Sequence, residues 1–148
     1  MTLQNLLRIQ RLQLHKADEA SILKLLRAAE RNLLDADLEE VGSDNRFDIA
    51  YKSIMQCAMI GLWANGYRTN PGQPGHHQTA IQSLGLTMQV APTDIRLLDD
   101  LRRQRNVVDY NGDVINESSL VACLGAATKL LRHTKKWLAL KGYHTNEN

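Results

Sequence analysis

Long apolar runs are absent from this chain. Nothing approaches the roughly 20 consecutive residues that span a bilayer, and Arg8, Gln10 and Arg11 interrupt any signal-like stretch near the start. A cytoplasmic protein that does not enter a membrane is therefore expected. Cysteine is scarce as well. Cys57 and Cys123 each fall on the apolar side of a helical pattern, without the CxxC or mixed His/Cys spacing of a zinc site, so both read as reduced core residues. The GxxxxGK[ST] and GxGxxG turns are missing, which removes the commonest phosphate cradles. HExxH and the serine nucleophile elbow are missing too. His76 and His77 are adjacent, point about 100° apart on a helix and make a poor pair of ligands for one ion. No metal and no cofactor is expected.

A strong charge of either sign is also lacking. A formal net charge of +2 and a pI near 8.6 do not by themselves announce a nucleic-acid binder. Distribution matters more: Lys129, Arg132, Lys135, Lys136 and Lys141 follow one another with no acid until Glu147. The ordinary reading of that run is a solvated face that complements the negative end of a helix dipole. With 43% apolar and 23% charged residues in 148, the composition is that of a globular chain, large enough to bury a core without staples. One domain is expected over 1–148, with 1–15 as an N-terminal packing arm and 142–148 as a flexible tail.

What the sequence does contain is helical periodicity. Leu3, Leu6, Leu7 and Leu14 suggest a short helix or arm over 3–13 that packs on a neighbour. From Ala17 to about Glu40, Ile22, Leu25, Leu26, Ala29, Leu33 and Leu34 form a continuous stripe, and Gly42, Ser43, Asp44 and Asn45 are expected to end it. Phe47, Tyr51, Ile54, Ala58 and Leu62, widened by Ala50, Met55, Met59 and Trp63, mark the most buried helix, which Asn65 and Gly66 stop. The loop Asn70 to Gly75 follows. His76, His77 and Thr79 then open a short helix closed by Gly85. Pro92 and Thr93, with Thr93 as cap, introduce a helix that ends at Asn111 and Gly112. Asn116 or Ser118 caps the last, with Leu120, Leu124, Ala127, Leu131, Thr134 and Leu138 in line. No convincing period-2 segment occurs, so the expected fold is all-α, an antiparallel bundle of four main helices plus short extra ones.

One residue breaks the pattern. Ile95, Leu98, Leu101 and Val108 form a stripe at spacings of three and four, and Arg105 occupies the place in it where Leu or Val belongs. A guanidinium there needs a carboxylate, a phosphate, carbonyls or a wet cavity, because leaving it buried and unpaired costs several kcal/mol. It is either a structural salt bridge, with Asp109, Asp99 or Asp100 as acids at hand, or a group held for an anion. Asn106 and Tyr110 on the same helix, His76 and His77 at the mouth of the loop and Arg68 before it complete a polar set. Guanidinium, carboxamide, phenol and imidazole suit phosphates and sugar hydroxyls.

Arg105-Asn106 near the end of the third long helix, followed by a turn and a long final helix, resembles the HEPN superfamily. These are small helical bundles common in toxin-antitoxin, phage-defence and RNA-processing systems. The stretch Ala50 to Arg68, ending in Asn65, Gly66, Tyr67 and Arg68 with His76 close behind, is similar to the matching helix and loop of a prokaryotic HEPN subgroup. The resemblance spans roughly residues 47 to 140. The family's ribonuclease motif is Arg, four to six residues, then His. Here Arg105 and Asn106 match, Tyr110 stands where the nearest His would be, and positions 111 and 112 are Asn and Gly. The resemblance implies action on RNA or nucleotides, with metal-independent RNA cleavage that places Arg105 on the scissile phosphate, Asn106 orienting Arg105 or a ribose, and Tyr110 donating to a phosphate oxygen. His76 or His77 would replace the missing base, and Arg68, Arg102, Lys129 and Arg132 would bind substrate. It further implies a homodimer with two copies of Arg105 facing a shared cleft, and a cognate toxin or antitoxin partner such as a nucleotidyltransferase. A catalytically inactive HEPN protein with an antitoxin-like or regulatory role, and a purely structural helical protein, are the alternatives.

Overall fold

The computed structural model describes residues 1–145, without the side chains of residues 109 and 110. Four long helices carry it: α2 (Glu19–Ala36), α3 (Ser43–Ala64), α6 (Pro92–Asn111) and α7 (Glu117–Leu140). Shorter pieces are α1 (Leu3–Arg8), α4 (His76–Gln82) and α5 (Leu84–Thr87), and two brief strands are β1 (Leu12–Leu14) and β2 (Tyr67–Thr69). The protein is therefore mostly helical, as expected. The strands are the exception to an all-α reading. They pair antiparallel, with Leu12 opposite Thr69 and Leu14 opposite Tyr67.

α3 is the axis. Its apolar residues lie on nearly every side, and Phe47, Ile54, Cys57, Ala58 and Leu62 are all buried. A helix apolar all round belongs in the middle of a fold, and α2 and α7 pack along it. The buried Ser53 hydroxyl donates to the Ala29 carbonyl of α2 at 2.9 Å, so its polar atom is satisfied where the two helices meet. Gly61 gives α3 its close approach to α5, because a Cβ there would stand 2.7 Å from Thr87 Oγ1. Asn65 and Gly66 end the helix as expected, Gly66 at φ 89°, a left-handed conformation that glycine adopts without a steric penalty. The chain then turns directly into β2.

Several boundaries differ from expectation for identifiable reasons. α2 stops at Ala36, and Ser43 to Asn45 belong to the first turn of α3 instead of ending its predecessor. Gly85 lies within α5 and does not close α4. Thr93 is not the cap of α6. Pro92 takes the first helical position, where its fixed φ and missing N–H fit, and that makes Ala91 the cap residue. At α7 the cap is Asn116, whose side chain accepts from Ser119 N at 2.8 Å.

Both ends of the described chain fold back on it. The N-terminal arm packs on its own chain through Leu12, which is 1% exposed in the main core, with Leu3 and Leu6 beside it. At the other end, Arg27 donates to the Thr145 carbonyl at 2.9 Å and Glu19 receives the His144 N–H at 3.0 Å. His144 and Thr145 thus meet α2, Gly142 and Tyr143 bond to the last turn of α7, and residues 146–148 of the expected tail lie outside the described residues. Leu12→Ala is expected to cost about 2–5 kcal/mol, as for other buried large-to-small changes. Leu14→Ala, at a residue 70% exposed, should change stability by no more than about 0.5 kcal/mol. Urea unfolding of both variants checks the docking of β1, which equal effects would contradict.

Candidate functional site

Arg105 leaves α6 one turn beyond the buried Leu101 and lies over an aromatic ring from α3. Its Cζ stands 5.0 Å from the centroid of Tyr51. Its Nε faces Asp48 Oδ1 at 3.4 Å, with 29% of the arginine side chain and 49% of the aspartate exposed. Asp48 and Tyr51 are three residues apart, so one face of α3 presents carboxylate and ring together. One acid is therefore supplied across the helix interface. Asp99, one of the acids expected to meet Arg105, instead binds Arg102 and Arg103, each at 2.9 Å. The side chain of Asp109 lies outside the described residues.

Tyr51 is 2% exposed, yet its hydroxyl reaches a partner: Oη lies 3.3 Å from His77 Nδ1. Burial pushes the phenol up to about 12, with the guanidinium groups of Arg105 and Arg102 pulling weakly the other way. It stays protonated at neutral pH and serves as donor or acceptor. Burial also lowers the pKa of His77, helped by His76, Arg105 and Arg102. The ring of His76 meets that of His77 edge-on at 4.7 Å. Asp48, Arg105, Tyr51, His77 and His76 thus form one continuous polar line across α6, α3 and α4.

The loop before α4 fixes where that line ends. Asn70 Oδ1 accepts from Gly72 N at 3.0 Å and from Gln13 Nε2 at 3.2 Å, and Asn70 Nδ2 donates to the Gln10 carbonyl at 2.9 Å. β1 thereby anchors the loop that delivers His76 and His77. On their far side an open hollow of about 360 Å³ is lined by both histidines, by Arg68 of β2 and by Trp63 and His15. Arg68 Nε donates to Gln13 Oε1 at 3.0 Å.

The remaining expected residues fall elsewhere. Arg102 is committed to the buried carboxylate of Asp99, and Lys129 pairs with Asp94 at 3.0 Å beside a separate small cleft between α6 and α7. Arg132 is exposed on α7, and Asn106 is exposed on α6. The side chain of Tyr110 lies outside the described residues. Two members of the polar line, Asp48 and Tyr51, are not singled out by the sequence. Tyr51 reads as one more apolar position of the α3 stripe, and the available signal is that a buried tyrosine hydroxyl usually needs a partner. Cys57 and Cys123 are free and buried, both thiols pushed up to about 12 by burial. Among the described residues no three His, Cys, Asp or Glu side chains form a metal cage, and no helix is long and apolar enough to cross a membrane.

A half-exposed ion pair contributes about 0–1 kcal/mol and an exposed cation–π contact about 0.5–1 kcal/mol. Losing these two contacts accounts for about 0.5–2 kcal/mol, so Arg105→Gln is expected to stay folded with a loss of that order in urea unfolding, and a much larger loss would mark the residue as a structural strut. His77 adds a pH dependence. Its folded pKa lies below the ordinary value of 6.5, so as pH falls through that value the unfolded chain takes up the proton first. Stability attributable to His77 falls with pH across this window and is recovered above it. The stability difference between wild type and His77→Gln should shift against wild type between pH 7 and pH 5, and a pH-independent difference would contradict it.

No known protein-family model, no curated protein and no solved structure matches this chain at a significant level.

Proposed function

We propose that this chain is a HEPN-type protein that binds RNA through Arg105 and cleaves it without a metal, using His77 as the base, in a toxin-antitoxin or phage-defence setting. The observation that carries the reading is the Arg105–Tyr51–His77 line, in which a cation and a weakly basic imidazole share one phenol. A ribonuclease of this kind needs a fixed positive charge for the phosphate and a group able to take a proton near neutral pH. The motif position 110 offers only a phenol, but the short helix α4 supplies an imidazole from a different part of the chain.

The arrangement suits the chemistry in three ways. The Asp48 contact is long and half-exposed, where solvent screening makes that one ion pair cheap to exchange for one with a phosphate, while the ring of Tyr51 lies under the guanidinium. The lowered pKa of His77 keeps its ring neutral and able to accept a proton at pH 7. The Tyr51 hydroxyl can accept from Nδ1–H, which favours the tautomer whose bare Nε2 is able to take the substrate's proton. In the proposed step Nε2 takes the 2′-hydroxyl proton and the 2′-oxygen bonds to phosphorus. The 5′-oxygen leaves and is protonated by solvent, which gives a 2′,3′-cyclic phosphate and a 5′-hydroxyl. As in other members of the family, the working unit is read as a homodimer with two Arg105 side chains facing a common cleft. A cognate toxin or antitoxin protein such as a nucleotidyltransferase belongs to the same reading.

The test is incubation of purified protein with end-labelled structured RNA in EDTA. Wild type should cleave, and Arg105→Ala and His77→Ala should each lose about 10²- to 10⁴-fold, the range for removing a principal acid–base or charge-stabilising group. Tyr51→Phe should lose less, because the shelf under Arg105 remains. Binding without turnover, abolished by Arg105→Ala, would overturn cleavage and leave an RNA-binding regulatory protein. Neither binding nor turnover across several RNAs would overturn the proposal altogether.

A further inference from the structure

We propose that the hollow beside His76 and His77 is a nucleobase pocket, in which one unpaired base stacks on Trp63. The inference rests on the reading of Arg105 and His77 as the phosphate and proton-transfer end of the same site. Its own support is the chemistry of the lining. The volume of about 360 Å³ lies in the usual range of small-molecule sites, about 300–1,000 Å³. Met55, Leu62 and Ala80 make an apolar floor. Trp63 and His15 stand together as a wall, their rings 4.9 Å apart and tilted by 54°. The side chains of Arg68 and His76 occupy the same lining, and none of its described residues carries a carboxylate.

An indole wall with cationic or donor groups around it and no acid in the lining matches a planar heterocycle attached to a phosphate. An acyl chain would gain nothing from Arg68 and three imidazoles, and a sugar would leave the floor without polar partners. Base–aromatic stacking is tolerant of sequence, since every base has a π-face. Arg68 uses its Nε on Gln13, which orients the guanidinium and leaves its remaining N–H groups for acceptor atoms on a base edge or for a flanking phosphate. His77 belongs both to this lining and to the Tyr51 contact. A base seated here is therefore adjacent to the imidazole assigned to proton transfer. The pocket would admit only a base free of its duplex partner, so the favoured RNA is single-stranded or looped at that nucleotide.

Trp63 is itself the reporter. Trp137 is the other tryptophan, on α7, and in a Trp137→Phe protein the emission comes from residue 63 alone. Adenosine monophosphate should quench that emission saturably, whereas ribose 5-phosphate and inorganic phosphate should not. A single-stranded oligonucleotide should reproduce the quenching and a fully paired duplex should not. By calorimetry, Trp63→Leu should weaken adenosine monophosphate binding by about 5- to 100-fold, the range for losing one stacking platform. Trp63→Phe should restore most of it, which guards against a merely misfolded variant. Arg105→Gln should leave the quenching of Trp63 intact while abolishing RNA cleavage. Equal binding of ribose 5-phosphate, quenching by duplex as strong as by single strand, or no saturable quenching in a protein that still cleaves RNA would each overturn the pocket. Quenching in a protein that cleaves nothing would support the pocket and count against the cleavage reading alone.

Discussion

A phenol buried at the meeting of three helices sets the terms for this molecule. The ring of Tyr51 fills core volume between α3 and its neighbours, but its hydroxyl has to be satisfied and its π-face is where Arg105 lands. Burying the ring gains apolar free energy; leaving the hydroxyl alone would forfeit part of it. His77 resolves that conflict, and its burial, with His76, Arg105 and Arg102 nearby, lowers its own affinity for a proton. One buried side chain thus meets a cation on one side and an imidazole on the other.

The same arrangement explains why a charged residue can replace an aliphatic one on α6 without wrecking the helix. Arg105 is not buried like Leu98 and Leu101. Its stem follows the stripe, and its head emerges over an aromatic face with Asp48 beside it. The contrast with Asp99 is informative. That carboxylate is only 8% exposed and is gripped by Arg102 and Arg103, and Asp100 stands 3.7 Å from Arg103, so two acids meet two bases. The Asp48 contact of Arg105 is longer, at 3.4 Å, and half-exposed, so ion pairs on one helix differ in length and burial.

How much of this was legible in the sequence depended on whether the interaction was local. The long helices follow from spacing, and the stops at Asn65-Gly66 and Asn111-Gly112 follow from the chemistry of helix ends. Arg105 stood out because it violates a period. β1 and β2 did not, since three-residue strands are too short to show alternation and their pairing joins residues more than fifty positions apart. Asp48 looked like any polar residue on a helix surface, and Tyr51 like any large residue in a stripe. Only the crossing of α3 with α6 and α4 brings them to Arg105 and His77. The hollow was invisible for the same reason, because its lining comes from β2, two helices and the segment that follows β1.

That last contribution has a mechanical consequence. His15 stands one residue past β1, held there by its N–H on the Gly66 carbonyl at 2.9 Å, and the strand itself is a three-residue ribbon. The ribbon is short, but Leu12 seats it in the main core, so a load on the N-terminal arm passes along the strand to His15. The N-terminal segment is thus a handle on one wall of the hollow. Tension, or a bulky fusion attached there, would be felt at Trp63 while the helical body stayed intact.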